Sequence, residues 1–420
     1  MHRTLRITHD AGFSRLSGLL SAFRSAVIAV SAPPRKARLR VSLALAFTLG
    51  LAGASAQAAS SKWTVKDLGS IGGNYSNGYA VNDLGQVTGD AATPSGLAYH
   101  AFLYNGHGMI DISPVAQWTN LGSDINKFGH IVGFSSTSQD QNAVVSPFLY
   151  KDGVMSFFGS GGGSARSIND AGQIAGSTNA GRAFLYENGL MKDLGTLGGR
   201  ASGASKINNH GQIVGNSDTA GGEIHGFIYE NGAMRDLGTF PGGRFSSAAG
   251  INDKGQVVGQ SDLPNSFETH AYLYSGGRMI DLGTLGGAHS QANAINNAGQ
   301  VVGISGSSVS EEVRPFLYSD GKMVALSALP GVAKSGWLLL DATGINNKGQ
   351  IVGRGYVDGN IRTRQHAYLL TPPAVKDASD CDDDGEQDAD QGRGRGGDKE
   401  RGRGKDSGKG KGRDKDCSER

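Results

Sequence analysis

The chain has 420 residues, a formal net charge of +2, 67 glycines and two cysteines. Eight of its 40 Lys and Arg residues but only one of its 38 acidic residues fall in positions 1–58, so the remainder carries about five net negative charges, which argues against a nucleic-acid-binding surface. Because Cys381 and Cys417 both follow residue 375, the body of the chain uses neither disulfides nor thiolate metal sites.

The first 58 residues contain the three parts of a secretory signal peptide. Basic residues at 35–40 precede a short apolar run at 41–53, and small residues at 54–58 then offer Ala-x-Ala cleavage sites. The apolar run is too short to span a bilayer comfortably, which makes a single anchor helix the weaker alternative. We expect an exported protein, secreted or periplasmic, with no stable membrane insertion after the signal is cleaved.

A nine-residue segment recurs seven times from residue 81 onward. Its pattern is Ile-Asn-Asn-x-Gly-Gln-Ile-Val-Gly, and successive copies lie about 44 residues apart, which is the length of a four-stranded propeller blade. The copies begin at Val81, Ile125, Ile168, Ile207, Ile251, Ile295 and Ile345. Seven copies predict seven blades.

A second segment, of the pattern His-Ala-Phe-Leu-Tyr, alternates with the first. It begins at His100, Ser146, Arg182, His225, His270, Arg314 and His366. We predict four strands in each repeat: strand b ends in Ile-Asn, strand c is the Gln-Ile-Val-Gly stretch, strand d is the Ala-Phe-Leu-Tyr stretch, and strand a is the Met-x-Asp-Leu stretch that follows a short turn. The Asn-x-x-Gly and Asn-Gly sequences predict tight b–c and d–a hairpins.

The composition of the strands predicts their places in a blade. Apolar runs in strands c and d are typical of a sheet covered on both faces, the small residues of strand b suit the crowded position beside a central channel, and the charges of strand a suit an outer edge. An unpaired strand a at 63–68 precedes the first repeat, whereas the last repeat stops at strand d, at 366–370. The sequence therefore predicts an all-β fold over 59–375, a seven-bladed β-propeller whose N- and C-terminal strands share one blade.

With these blocks in order, the chain resembles the HAF family of bacterial extracellular repeats, named for the His-Ala-Phe triplet found here at 100–102. The resemblance covers about residues 63–371. Departures from the pattern are Ser-Pro and Arg-Pro for His-Ala at 146 and 314, and Phe-Phe and Ala-Leu for Asp-Leu at 157 and 325. The resemblance implies an extracellular location and implies no activity.

Strand connectivity divides the loops between two faces of the predicted ring. The b–c and d–a hairpins lie on one face, called here the hairpin face, and the a–b crossings and c–d loops lie on the other, the loop face. The c–d loops differ greatly in length, from 177–181 to 134–145. Such variation on one face of a repeat array favours ligand binding there, with tolerated surface variation as the alternative.

The sequence favours an exported, non-catalytic binding or scaffolding module that recognises a protein or glycan through the loop face. One alternative is a structural surface or matrix component. The other is a propeller hydrolase or lyase with its site at the channel mouth. Candidates for such a site are the polar residues that the repeats do not share: Glu223, Glu268, Glu311, Glu312, Arg354, Asp358 and Arg362.

The repeated His and Asp residues are interpreted as structural. His100, His225, His270 and His366 begin strand d in four separate blades, too dispersed to surround one zinc ion. Asp67, Asp111, Asp193, Asp236 and Asp281 lie in strand a and are expected to order a turn or an edge. The Gly-rich crossings such as 195–199 lack the Lys-Ser/Thr of a phosphate-binding loop. We predict no catalytic, cofactor-binding or metal-binding residue, and no cofactor.

Residues 376–420 have the composition of a disordered tail rich in Asp, Gly, Arg and Lys. Asp380, Asp382 and Asp384, followed by Gly385, match the start of a calcium loop, but Gln391 stands where such a loop needs Glu. A solvated charged tail is therefore favoured over a calcium site.

Overall fold

The computed structural model describes residues 62–114, 118–136, 145–307, 312–359, 361 and 364–374. These residues form seven antiparallel β-sheets that follow one another along the chain, six of four strands and one of five. Each sheet is one blade, so the predicted seven-bladed β-propeller is confirmed. The predictions for the leader, for the charged tail and for its calcium loop concern residues outside the described ranges.

Every blade has the strand order b, c, d, a from the central axis outward. Strands b are β2 Ser76–Val81, β6 Thr119–Ile125, β10 Gly163–Ile168, β14 Gly198–Ile207, β18 Ser246–Ile251, β22 Gly286–Ile295 and, in two short pieces, β26 Leu338–Leu339 and β27 Gly344–Ile345. Strands c are β3 Val87–Ala92, β7 Ile131–Ser136, β11 Ile174–Thr178, β15 Ile213–Thr219, β19 Val257–Asp262, β23 Val301–Ser307 and β28 Ile351–Tyr356.

The outer half of each blade is equally regular. Strands d are β4 Tyr99–Tyr104, β8 Val145–Lys151, β12 Ala183–Glu187, β16 Ile224–Glu230, β20 Thr269–Ser275, β24 Val313–Ser319 and β29 Gln365–Thr371. Strands a are β5 Met109–Asp111, β9 Val154–Phe157, β13 Leu190–Asp193, β17 Ala233–Gly238, β21 Arg278–Asp281, β25 Lys322–Ala325 and β1 Thr64–Asp67. Two short 3₁₀ helices, Leu326–Ala328 and Val332–Lys334, connect blade six to blade seven.

Blade seven joins the two ends of the repeat region. β1 pairs with β29 in antiparallel register, with Thr64 opposite Thr371 and Asp67 opposite Tyr368. β28 lies between β29 and the short inner strands β26 and β27. The N-terminal strand thus completes a blade whose other strands come from the C-terminal end, as the unpaired strand at 63–68 predicts.

The hairpins have the backbone conformations that their sequences predict. The glycine of the b–c turn has a φ between +72° and +84° in all seven blades, for example +73° at Gly349. Several d–a turns place two successive residues at positive φ, as at Asn188 (+53°) and Gly189 (+81°). Both kinds of turn therefore depend on residues that tolerate the left-handed region.

The core consists of apolar layers between neighbouring blades. The aromatic residue of strand d is fully buried in every blade: Phe102, Phe148, Phe184, Phe227, Tyr272, Phe316 and Tyr368. In one such layer Phe148 and Ile131 of blade two pack with Ala80 and Ala101 of blade one. Each buried aromatic stabilises the contact between two blades by roughly 2–3 kcal/mol, and covering of both sheet faces explains why strands c and d are continuously apolar.

A β-bulge interrupts strand b of blades one to six, two residues before the repeated Ile or Val. The glycine of strand c lies opposite the bulge, and at Gly133 a Cβ would overlap the carbonyl oxygen of Leu121. The glycine therefore permits the close approach of two backbones. A bulge also redirects the side chain of the extra residue, and here it directs that side chain toward the axis.

The repeated Asn that follows strand b closes a ring of hydrogen bonds around the axis. In each blade its Nδ2 donates to the backbone carbonyl of the same Asn in the next blade, at 2.9 to 3.2 Å. The last link runs from Asn346 of blade seven to the carbonyl of Asn82 in blade one, at 2.9 Å. Seven identical bonds therefore connect all seven blades in one closed circuit.

Each of these Asn side chains also stabilises its own b–c turn. Asn169 donates from Nδ2 to Oε1 of Gln173 at 2.7 Å and accepts at Oδ1 from the N–H groups of Ala171 and Gln173, at 3.1 and 3.0 Å. With the bond to Asn208 of blade four, all four hydrogen-bonding positions of the amide are used. The side chain is buried in every blade, so its substitution leaves buried groups without partners.

Asn169→Ala should therefore lower the free energy of unfolding by about 2–4 kcal/mol, since it leaves a buried carbonyl and two partly buried N–H groups unpaired. Urea denaturation measures the loss. Asn209→Ala, at the exposed position of the next blade's turn, is the matched control and should cost less than about 1 kcal/mol. Equal losses in the two variants would contradict a special role for the ring.

Candidate functional site

The candidate residues for a hydrolase or lyase site lie in different blades. Glu223, Glu268, Glu312 and Asp358 lie on the c–d loops of blades four, five, six and seven respectively. Glu223 accepts a hydrogen bond from Thr219 at 3.1 Å, and Glu312 pairs with Arg314 at 3.1 Å, so both contacts are within one blade. Glu311 and Arg362 lie outside the described residues.

Arg354, the remaining candidate, belongs to a polar cluster at the contact between blades seven and one. Its Nε lies 2.8 Å from Oδ2 of Asp341, close enough for a salt bridge although the N–H is not aligned for a hydrogen bond. Its Nη1 donates to the hydroxyl of Tyr75 at 3.4 Å. Burial raises the pKa of Asp341 although Arg354 opposes that rise. The arginine is thus engaged in holding two blades together.

The cluster continues toward the axis through buried side chains of blade one. The two N–H groups of Asn77 Nδ2 are shared among three oxygens, those of Tyr75 at 2.6 Å, Asp90 at 3.2 Å and Tyr79 at 3.3 Å. Burial raises the pKa of Tyr79 well above its ordinary value, and the neighbouring Asp90 raises it further. Burial also raises the pKa of Asp90, against the hydrogen bonds from Tyr79 and Asn77.

The repeated His and Asp residues pair with each other within single blades. The residue that begins the repeated His-Ala-Phe-Leu-Tyr segment contacts the Asp of strand a at 2.7 to 3.1 Å in five blades: His100–Asp111, Arg182–Asp193, His225–Asp236, His270–Asp281 and His366–Asp67. The same Asp accepts the backbone N–H two residues later, as Asp67 does from Gly69 at 2.8 Å. These residues order an edge and a turn, as the sequence predicts.

The two blades that depart from the repeat pattern lack this pair. Phe157 and Ala325 stand at the Asp position of blades two and six, and Ser146 and Arg314 stand at the corresponding His position. Arg314 pairs instead with Glu312 on its own loop. The outer strands β9 and β25 still pair regularly with strand d over four residues, so the His-Asp pair is not required for the strand to form.

A polar cavity of about 310 Å³ lies on the axis, between the bulges of strands b and the b–c turns of the hairpin face. Seven side chains line its inner level, one from each blade: Tyr79, Ser123, Arg166, Ser205, Ala249, Asn293 and Thr343. Six of them are the extra residues of the β-bulges. Below them lies the closed ring of Asn side chains, and the residues that follow these Asn form the mouth.

A salt bridge spans three blades at the wall of the cavity. Nζ of Lys206 in blade four lies 2.8 Å from Oδ1 of Asp124 in blade two. From blade three, the hydroxyl of Ser167 and the N–H of Ile168 both donate to Oδ2 of Asp124, at 2.6 and 3.0 Å. Asp124 is almost fully buried, and three hydrogen-bonding groups around one carboxylate offset the loss of its hydration.

The mouth of the cavity has a second set of links between blades. The backbone N–H of each residue after the Asn donates to the side-chain oxygen of its counterpart in the next blade, at 2.8 to 3.1 Å, in six of the seven blades. The exception lies between Asp83 and Lys127, because lysine has no acceptor. The mouth thereby carries three carboxylates, Asp83, Asp170 and Asp253, and one cation, Lys127.

Sequence analysis directed attention to the loop face and missed these cavity residues. The available signal was variation inside a constant motif, since the two positions before the repeated Ile or Val differ from copy to copy. They read Tyr79-Ala80, Ser123-Asp124, Arg166-Ser167, Ser205-Lys206, Ala249-Gly250, Asn293-Ala294 and Thr343-Gly344. Because these two positions vary while their neighbours stay constant, the fold does not require a particular residue at either of them.

The chain matches no protein-family model and no curated protein. Among solved structures, YCF48 bound to D1 peptide matches with a TM-score of 0.43 and 12% identity, over 76% of this chain and 97% of that one. The β-propeller domain of the trilobed protease from Pyrococcus furiosus matches with a TM-score of 0.43 and 12% identity, over 70% of this chain and 94% of that one. These likenesses concern the propeller fold.

TolB from Acinetobacter baumannii matches with a TM-score of 0.40 and 15% identity, over 57% of this chain. The match spans 62% of the TolB chain, less than two thirds of its length. Within the residues that the structure describes, no helix is long and apolar enough to cross a membrane. The same residues include no group of three or more His, Cys, Asp and Glu side chains placed to hold a metal ion.

Asp67→Asn tests the His-Asp pair at the blade that closes the ring. Burial alone would raise the pKa of Asp67, but the hydrogen bonds from His366 and from the N–H of Gly69 outweigh it and lower the pKa below its ordinary value of 3.8. The carboxylate therefore stabilises the folded ring above that value, and the contribution is lost as pH falls through the lower folded-state pKa.

Thermal melts should show Asp67→Asn about 2 °C below the natural protein at pH 6, since the pair is partly exposed. The two melting temperatures should converge as pH falls below 3.8. Asp358→Asn, which changes an exposed carboxylate on a loop, is the control and should have no effect. A difference that persists unchanged in acid would contradict the assignment to the Asp67 carboxylate.

Proposed function

We propose that the protein is an exported binding or scaffolding module of the HAF type that recognises a protein or glycan through its loop face. The signal-peptide pattern of residues 1–58 supports export. The observation that carries the proposal is the presence of exposed apolar side chains on the c–d loops. These loops extend from a ring that neighbouring blades and the Asn circuit hold rigid.

Among the residues that the structure describes, the exposed apolar side chains of the loop face come from four consecutive blades. Phe267, at the tip of the c–d loop of blade five, is fully exposed, and Leu97 of blade one and Ile361 of blade seven are 75% and 68% exposed. Val313 of blade six and Tyr99 of blade one extend the series. Apolar and aromatic side chains on loops are the groups that protein interfaces and sugar rings commonly contact.

The hairpin face also exposes apolar residues, which provides a matched comparison. Leu84 and Phe128 lie on b–c turns and Leu190 begins strand a directly after a d–a turn, with exposures of 69%, 60% and 75%. These turns keep the same length in nearly every blade, whereas the c–d loops differ. Variation in loop length from blade to blade favours the loop face as the specific surface.

Affinity capture from culture medium with the full chain tests the proposal. The triple variant Leu97→Ser, Phe267→Ser, Ile361→Ser should lose the captured partner, with at least a tenfold loss of affinity once the partner is identified, because the contact residues are removed. Its melting temperature should stay unchanged, since none of the three side chains is buried.

The control is the triple variant Leu84→Ser, Phe128→Ser, Leu190→Ser, which removes similar exposed apolar area from the hairpin face. It should bind the partner as the natural protein does. Loss of the partner in the control with retention in the loop-face variant would place the interface on the hairpin face and refute the proposal. Concentration-dependent self-association without any captured ligand would favour a structural matrix component.

A further inference from the structure

The cationic side chains around the axial cavity pair with carboxylates, with one exception. Lys206 pairs with Asp124, and Arg354, just outside the cavity, pairs with Asp341. Arg166, which the bulge of strand β10 directs into the cavity, forms no salt bridge or hydrogen bond within the part of the chain that the structure describes. The guanidinium carbon lies 5.8 Å from the centre of the Phe134 ring. Tyr79 is its electrostatic neighbour.

Arg166 lines the cavity as an exposed cation without a carboxylate partner among the described residues. The guanidinium is in contact with the solvent of the cavity, but the protein around it lowers its pKa from the ordinary value by desolvation. It remains charged, because arginine keeps its proton in proteins. It offers N–H donors in a planar arrangement that matches the two oxygens of a carboxylate. An anion at this position would compensate the charge.

The other side chains at the same level of the cavity are neutral, and all but Ala249 are polar. Ser123 and Ser205 occupy the bulge positions in the two blades that flank Arg166, and Asn293 and Thr343 lie in blades six and seven. Hydroxyl and amide groups can donate to and accept from hydroxyls, although Thr343 and Asn293 each already donate to a backbone carbonyl, at 2.7 and 2.8 Å. The volume of about 310 Å³ is at the lower end of the range for small-molecule sites.

The mouth restricts the charge of a ligand that enters from the hairpin face. Asp83, Asp170 and Asp253 outnumber Lys127 there, so a polyanion would be repelled. Each of the three carboxylates accepts a backbone N–H from the preceding blade, at 2.8, 3.1 and 2.9 Å, which offsets part of its charge. A ligand with one negative charge and several hydroxyls fits both levels of the cavity.

We infer that the axial cavity binds a small hydroxylated monocarboxylate, such as a sugar acid, whose carboxylate is held by Arg166. The site is separate from the loop face, and neither assignment depends on the other. The neutral polar side chains at the bulge positions supply hydrogen-bond donors and acceptors to the hydroxyls of the ligand. At the next level the Lys206–Asp124 pair lines the wall of the cavity without adding net charge.

Titration calorimetry of the full chain with D-glucuronate, D-gluconate and L-lactate tests the inference, with D-glucose as the neutral comparison. At least one of the acids should bind and D-glucose should not. Arg166→Gln should weaken the binding tenfold or more, because the charged hydrogen bonds are lost. Arg166→Lys should retain an intermediate affinity, because it keeps the charge and loses the planar pair of donors. Arg278→Gln, on the exposed outer strand β21, should bind as the natural protein does.

The stability of the unliganded variants separates a binding role from a structural one. If Arg166 serves a ligand, Arg166→Gln should melt at the same temperature as the natural protein or higher, since the substitution removes an unpaired cation. A lower melting temperature would overturn the inference in favour of a structural arginine. Binding of D-glucose equal to that of the acids, binding unaffected by Arg166→Gln, or absence of binding by all three acids would also overturn it.

Discussion

The closed circuit of Asn side chains is the interaction on which the ring depends. Each amide uses two bonds to shape its own turn, a third to the Gln or His of that turn and a fourth to reach the next blade. Because one side chain determines both the local hairpin and the distance to its neighbour, every blade repeats the same angle about the axis. The apolar layers between blades then add the bulk of the stability.

This arrangement separates the residues that build the ring from those available for function. The Asn, the glycines and the strand d aromatics recur because each satisfies the same geometric requirement in every blade. The bulge position carries no such requirement, since its side chain projects into solvent at the axis, and it holds residues as different as Ala249 and Arg166. The c–d loops have similar freedom at the rim of the loop face. The residues that differ in chemistry from blade to blade are therefore concentrated at the bulge position and in the c–d loops.

The sequence predicts the fold well because repetition strengthens weak local signals. One Asn-Gly is a modest indication of a turn, but its recurrence before a methionine establishes strand order, blade count and the shared blade at Thr64 and Thr371. Repetition does not predict the contacts in the axial cavity equally well. The pairing of Asp124 with Lys206, 82 positions apart, follows from a bulge and from the curvature of the ring. Arg354 appears in the sequence as a singular polar residue, and only its proximity to Asp341 reveals a structural contact.

The shared blade also determines where the two ends of the ring leave it. Strand d runs from the loop face toward the hairpin face, so β29 reaches Thr371 on the hairpin side, and β1 begins beside it at Thr64. A tether attached through either end, whether a surface anchor or an immobilising tag, would therefore hold the ring by its hairpin face and present the c–d loops outward. Because the two ends lie side by side, they could be joined directly and new termini opened in another hairpin, so the ring is suited to circular permutation.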